Sequence, residues 1–336
     1  MKKNILLTAA ILFSLSLFGQ EKKSSYESAF DLPGSRSEVY KTINSTKLKV
    51  YIYEPKSHKA NSNRPAIVFF FGGGWRGGTP KQFQEHCRYL ASMGMVAMTA
   101  DYRVFSRQGT KPFHCVRDGK SAIRWIRKNA NRLGIDPDRI VSGGGSAGGH
   151  VAASTGTLPK HDEPGEDFNV SSIPNAMILY NPVLITAMAK GLKTFGGAQT
   201  HKLKTRLGVE DPKTISPFHN IRKGLPPSLI LHGTADTTVP YSNAKAYSEK
   251  AAKIKSSKTS VSSLKLASIL ILLTSPFPLI VIVTNPSLTE PITSISFNFL
   301  LIASNVGPAA PFPELMTILR GLSFEKSTNF KKPKRE

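Results

Sequence analysis

The chain has 336 residues, with 45 Lys and Arg against 22 Asp and Glu and a formal net charge of +23 at neutral pH. An apolar share of 40% excludes a wholly disordered chain and is enough for one large core. The basic balance suits a nucleic-acid binder, but no nucleic-acid motif accompanies it, and that class is set aside. The eight histidines and two cysteines show no ligand spacing, so neither a metal nor a cofactor is expected.

In chain order, Met1-Lys2-Lys3-Asn4 and the apolar run 5–18 read as a secretory signal over residues 1–20, which predicts export to the periplasm or the outside. The run is short for a membrane span. Residues 21–37 read as a polar lead-in, and residues 38–254 as the folded domain. Residues 47–53 alternate as a strand, and 65–71 read as a buried strand that ends in Gly72-Gly73-Gly74-Trp75. Consecutive glycines let backbone amides turn toward a single point in space, which is what a developing oxyanion needs.

A helical stripe of Phe83, Cys87, Leu90 and Ala91 stops at Gly94, and a strand follows over 95–100. A second stripe, Val116, Ile123, Ile126, Ala130 and Leu133, stops at Gly134. The strand 139–142 then runs into Gly143-Gly144-Gly145-Ser146-Ala147-Gly148-Gly149. This fits G-x-S-x-G, in which a serine is raised on a sharp turn between strand and helix. The same glycines fit G-x-G-x-x-G, but the acidic residue wanted about 20 positions on would fall in a loop, and no Lys follows for a phosphate loop. Further strands are expected at 175–180 and 228–231, the latter leading into a turn that carries Asp236. A helix is expected over 241–254. The stretch 184–216 reads as a lid, with six Lys and Arg against two acids. Strands alternating with helices predict an α/β fold with a mostly parallel sheet covered on both faces, its site at the carboxyl ends of the strands.

These motifs, together with Ala100-Asp101-Tyr102-Arg103, residues 118–125 and residues 134–140, make residues 38–254 similar to α/β-hydrolases of the hormone-sensitive-lipase-like or polysaccharide-esterase kind. The glycine run after Phe71 resembles the HGGG motif of lipases and esterases, with Phe71 where that family usually has His. The resemblance implies a carboxylic-ester hydrolase with Ser146 as nucleophile. Gly73, Gly74 and Ala147 are the expected oxyanion donors, Asp236 the orienter of a general-base histidine, and Trp75 either a residue on the acyl or leaving-group side or, equally, a core aromatic. Small esters or acylated polysaccharides are the implied substrates. The basic lid is consistent with an anionic substrate or with a solvated face.

One departure is serious: no histidine follows His232, although the family's base follows the Asp. Among earlier candidates, His150 is expected to pack beside the elbow and His232 to order the Asp236 turn, while His114 and His219 read as loop histidines. Residues 255–336 contain no His, Asp, Tyr, Trp or Cys and only four Glu, and the stretches 266–289 and 291–313 carry no charge. This abrupt change points to a shifted reading frame or a fusion near Ile254, with the last strand and histidine loop missing or replaced. Two other readings of the tail are a membrane span over 266–283, broken by Ser275-Pro276-Phe277-Pro278, and a substitute last strand at 261–267. A chain without a base reads either as an inactive glycan-binding relative or as a poor enzyme, and a peptidase-like hydrolase is a third reading. Cys87 and Cys115 are expected as separate buried thiols.

Overall fold

The computed structural model of the protein describes residues 29–195, 200–254 and 279–284. These all fall in the compact unit Met1–Ile292. The expected signal, residues 21–28 of the lead-in, the substitute strand at 261–267 and most of the candidate span lie outside the described residues.

The described strands are β1 (Arg36–Ile43), β2 (Thr46–Tyr53), β3 (Arg64–Phe70), β4 (Val96–Ala100), β5 (Ile135–Gly145), β6 (Ala176–Tyr180), β7 (Ser228–Gly233) and β8 (Leu279–Thr284). The helices that position the site are α1 (Gln84–Ser92), α2 (Pro112–Lys128), α3 (Ala147–Thr157), α4 (Thr200–Leu207) and α5 (Tyr241–Lys253). The strands form one sheet in the order β1-β2-β4-β3-β5-β6-β7-β8. Neighbours from β4 through β7 are parallel, and β1, β2 and β8 are added antiparallel at the edges. This is the α/β-hydrolase architecture expected from the alternation of elements.

The two faces can be read from β3, where successive side chains alternate. Phe69 stacks on Phe83 with ring centroids 4.7 Å apart and meets His86 of α1. Phe70 instead points to the other face, where its ring tip would lie 3.7 Å from a Cβ on Gly119 of α2. Helices therefore cover both faces, and β3 reads as a continuous apolar run because neither face meets water. Phe69, Phe70, Phe71, Ile67, Met98, Ile123 and Ile126 are all at most 1% exposed. Each contributes roughly 1.5–3 kcal/mol of burial free energy. Cys87 and Cys115 are buried free thiols.

Two strands depart from the sequence reading. β1 begins at Arg36, inside the stretch expected as lead-in. A bulge between Val39 and Lys41 turns the consecutive residues Tyr40 and Lys41 inward and destroys the period-two signal. Buried Lys41 Nζ is neutralised by Asp118 Oδ1 and Glu163 Oε2, both at 2.7 Å. The second departure is β8. It comes from the uncharged tail, contains no histidine, and pairs antiparallel with β7, whereas a further strand–helix–strand crossover would have entered parallel. Among the described residues no helix is long and apolar enough to cross a membrane, and no group of three His, Cys, Asp or Glu stands in position to hold a metal.

Candidate active site

Ser146 occupies the corner between β5 and α3 with φ 54 and ψ −115, a positive-φ conformation that side-chain-bearing residues seldom adopt. The strain is held from three directions. Ser146 N–H donates to Tyr180 O at the end of β6 (2.9 Å), and Ser146 O accepts from His150 N–H (3.0 Å) and Val183 N–H (3.2 Å). The glycine at position 148 is required by close approach rather than by its own torsions. A Cβ there would lie 2.0 Å from Phe70 O and 2.3 Å from Phe71 O, so only glycine lets α3 start against the end of β3. Ser146 itself is half-buried, and its Oγ has no hydrogen-bond partner among the described residues.

The loop after β3 lies against this corner: a Cβ on Gly72 would be 3.4 Å from Ser146 Cβ. Gly73, Gly74 and Trp75 follow with φ of 126, 62 and 59, a run of left-handed residues that curls the chain over. Gly73 O is turned into the curl, where it accepts from Arg76 N–H (3.0 Å) and Gly77 N–H (3.3 Å). The amides of Gly73, Gly74 and Ala147 have no acceptor among the described residues, which is the condition for donors reserved for a ligand. The loop is tied down by Tyr102 Oη–H to Phe71 O (2.6 Å), Arg107 Nη1–H to Gly78 O (3.0 Å) and Phe105 N–H to Trp75 O (3.0 Å). Phe71, where a histidine was expected by resemblance, is fully buried and stacks on Tyr102 at 4.1 Å. The role of Arg107 was not foreseen; its only signal in the sequence is its place just past the Asp101-Tyr102-Arg103 segment.

Trp75 does not sit open to a substrate. Its indole is 2% exposed and meets His150 and Phe195 edge-on, with centroids 5.2 and 5.0 Å away. This packing is that of a core aromatic, the other of the two readings open for Trp75.

Asp236 lies in the turn after β7. Its Oδ1 accepts from Thr238 N–H (2.8 Å) and Val239 N–H (2.9 Å), and Oδ2 stands 3.5 Å from His232 Nε2. His232 spends its Nε2 proton on Val239 O (2.8 Å) and is fully buried. Burial pushes its pKa down despite the nearby carboxylate, so the contact joins a neutral ring to Asp236 and orders the turn. β6 separates the Ser146 corner from the Asp236 turn, so two strand spacings, about 9.6 Å, lie between their parent strands. A carboxylate at that range acts on a serine only through an intervening imidazole.

None of the described histidine side chains hydrogen-bonds to Ser146 Oγ, and only His232 approaches Asp236. His150, one helical turn beyond Ser146, donates Nε2–H to Ile215 O (2.7 Å), and desolvation lowers its pKa to about 4. His114 Nδ1 accepts from Lys111 N–H at the start of α2, and His219 Nδ1 is bonded to Ser216 Oγ. The structure thus brings the Ser146 corner and the glycine loop after β3 together. It leaves Asp236 on a turn two strands away, with no described imidazole hydrogen-bonded to both.

The BD-FAE family model matches residues 50–251. Among curated proteins, the chain is similar to the probable carboxylic ester hydrolase LipM of Mycobacterium tuberculosis, at 29% identity over 195 residues covering 54% of this chain and 44% of LipM. It is also similar to Esterase LipQ of the same organism, at 30% identity over 192 residues, 55% of this chain and 45% of that one. The chain therefore spans under half the length of these relatives. Among solved structures, the thermophilic esterase Est2 of Thermogutta terrifontis is 51% identical with a TM-score of 0.63, covering 67% of this chain and 80% of that one. The match takes in β2 to nearly the end of α5, including both glycine loops and the Asp236 turn, and the chain belongs to the BD-FAE family, on an α/β-hydrolase fold.

Proposed function

We propose that the domain is built for carboxylic-ester hydrolysis through an acyl-enzyme on Ser146. The observation that carries this reading is the strained Ser146 corner set beside unpaired amides of Gly73, Gly74 and Ala147. In this mechanism Ser146 Oγ attacks the ester carbonyl, its proton passes to a base, and the three amides hold the tetrahedral oxygen. The alcohol leaves with a proton returned by the base, and water then releases the acid by the same steps reversed. Acylated polysaccharides and small esters are the substrate classes. The Thermogutta esterase, described as phosphonylated by sarin, supports a phosphorus-reactive nucleophile on this fold.

The base is the weak member. No histidine follows His232 in the sequence, and Asp236 is left to orient an absent ring. Loss of one triad member lowers turnover by up to about a millionfold, so the chain is expected to turn over slowly. The same lack favours a second reading, an inactive relative that binds acylated glycans. A fluorophosphonate probe and 4-nitrophenyl acetate, each with and without added imidazole, separate the two. Labelling and hydrolysis that rise with imidazole and vanish in Ser146→Ala support the hydrolase. Neither signal, with imidazole present, leaves only the binding protein.

A further inference from the structure

Arg76 follows the donor loop directly, two residues after Gly74. Its backbone is fixed from both sides, with N–H donated to Gly73 O (3.0 Å) and the carbonyl accepting from Ser106 N–H (2.8 Å). Its guanidinium carbon lies 5.1 Å from the ring centroid of Phe105, which is 45% exposed. Arg206 approaches from α4. Its guanidinium carbon sits 4.5 Å over Phe195, whose ring meets Trp75, the residue before Arg76, at 5.0 Å. Arg206 is thus seated on the ring that packs against Trp75, the residue next to Arg76 in the loop beside Ser146.

Their charges act on one another: Arg206 is held below the ordinary arginine range first by burial and then by the charge of Arg76. Neither arginine has a carboxylate partner among the described residues, whereas Arg36, Arg103, Arg107, Arg124, Arg132 and Arg139 each have one. Like charges gathered without a counterion are unfavourable in the free protein and are relieved by an anion. A guanidinium resting on an aromatic face keeps its N–H fork free for bidentate pairing with a carboxylate.

We propose that Arg76 and Arg206 form a carboxylate-accepting subsite at the mouth of the Ser146 site, selecting esters that carry a carboxylate elsewhere in the molecule. The proposal rests on the ester-hydrolase reading above and names its substrate class. Uronic-acid-containing glycans and half-esters of dicarboxylic acids share this chemistry.

The test is a ligand-observed NMR titration of the full chain with monobenzyl succinate and, as the uncharged counterpart, benzyl methyl succinate. The anion is expected to bind about tenfold more tightly at low salt, with the preference lost at 1 M salt, roughly the strength of one desolvated charge pairing. Arg76→Gln/Arg206→Gln is expected to bring the two ligands within about twofold of each other. Lys47→Gln/Lys49→Gln, which removes as much charge from exposed positions on β2, is expected to leave the preference intact. If the double arginine variant does not fold, Arg76→Gln and Arg206→Gln are read singly, each removing part of the preference. Equal binding of the two ligands by the unaltered chain, or an equal loss in the lysine variant, overturns the subsite. Fluorophosphonate labelling of the same samples keeps the two readings apart. Labelling without carboxylate preference refutes the subsite alone, and preference without labelling, even with imidazole, refutes the hydrolase reading alone.

Discussion

Acidification should unfold this protein partly through one ring, His150. Its Nε2–H is committed to Ile215 O, its Nδ1 is buried with no partner among the described residues, and the residue is 0% exposed, packed against Trp75. Protonation at Nδ1 would place a charged N–H where no described group accepts it. The pKa accordingly falls from 6.5 to about 4. A histidine whose folded pKa is depressed gives its full stability above the unfolded value, and loses it as pH falls from 6.5 toward the folded value. A gap of roughly 2.5 units at about 1.4 kcal/mol each gives about 3 kcal/mol lost between pH 7 and pH 4. His150→Gln retains an N–H donor for Ile215 O but does not titrate. Urea denaturation of both proteins at pH 7, 6, 5 and 4 isolates the contribution, because acids such as Glu163 and Asp162 titrate in both and cancel in the difference. The stability difference between the two is expected to change by about 3 kcal/mol in favour of the variant across that range. Parallel pH profiles would refute the account of the buried ring.

Replacing Ser146 by Gly should stabilise the fold by about 1 kcal/mol, since relief of a strained torsion worth about 1–3 kcal/mol outweighs the extra chain entropy of glycine. Ser146→Ala retains the Cβ and should not stabilise, and equal midpoints in urea for the two variants would contradict the strain. Gly148→Ala forces a Cβ to 2.0 Å from Phe70 O and should destabilise by about 3 kcal/mol or more and abolish probe labelling at Ser146; a midpoint near that of the unaltered chain would contradict it. Glu163→Gln leaves Lys41 and Arg103 sharing only Asp118, with an expected loss of about 2–3 kcal/mol at pH 7. Burial opposes the Glu163 charge, but the hydrogen bond and charge of Lys41 prevail and hold its carboxyl below the ordinary 4.5. Its contribution is therefore present above that value and fades as pH falls through the depressed pKa, so the gap between variant and parent should close in acid. Translating the gene past the Ile254 codon in its other two frames should reveal a strand followed by a His-Gly loop, and its absence from both would remove the frame-shift explanation of the tail.

Periodicity found β2 from its alternation, and β3, β4, β6 and β7 from short apolar runs, each to within two residues. It missed β1, where the bulge at Val39/Lys41 buries a lysine whose neutralising partners lie 77 and 122 residues away. It also stopped β5 at residue 142, because glycines signal a turn while Gly143, Gly144 and Gly145 in fact continue the ladder with β6. The reason for those glycines was only half legible. Tight turning was foreseen, but the atoms that forbid a Cβ at position 148 belong to the end of β3.

What the sequence determined by itself is the chemistry on offer: a serine within glycines at a strand–helix junction, a second glycine run after a buried strand, an Asp after a later strand, and no histidine beyond His232. These are local facts, written in residue type and order. Which of them meet was decided only by the tertiary structure. The strand order set Gly72 against Ser146, turned Trp75 into the core, committed His150 to the carbonyl of Ile215, and brought Arg206 over the Phe195 ring that packs on Trp75. Those outcomes depend on contacts between residues tens of positions apart, and no pattern along the chain encodes them, because their energies arise from burial and pairing that exist only once the sheet has closed.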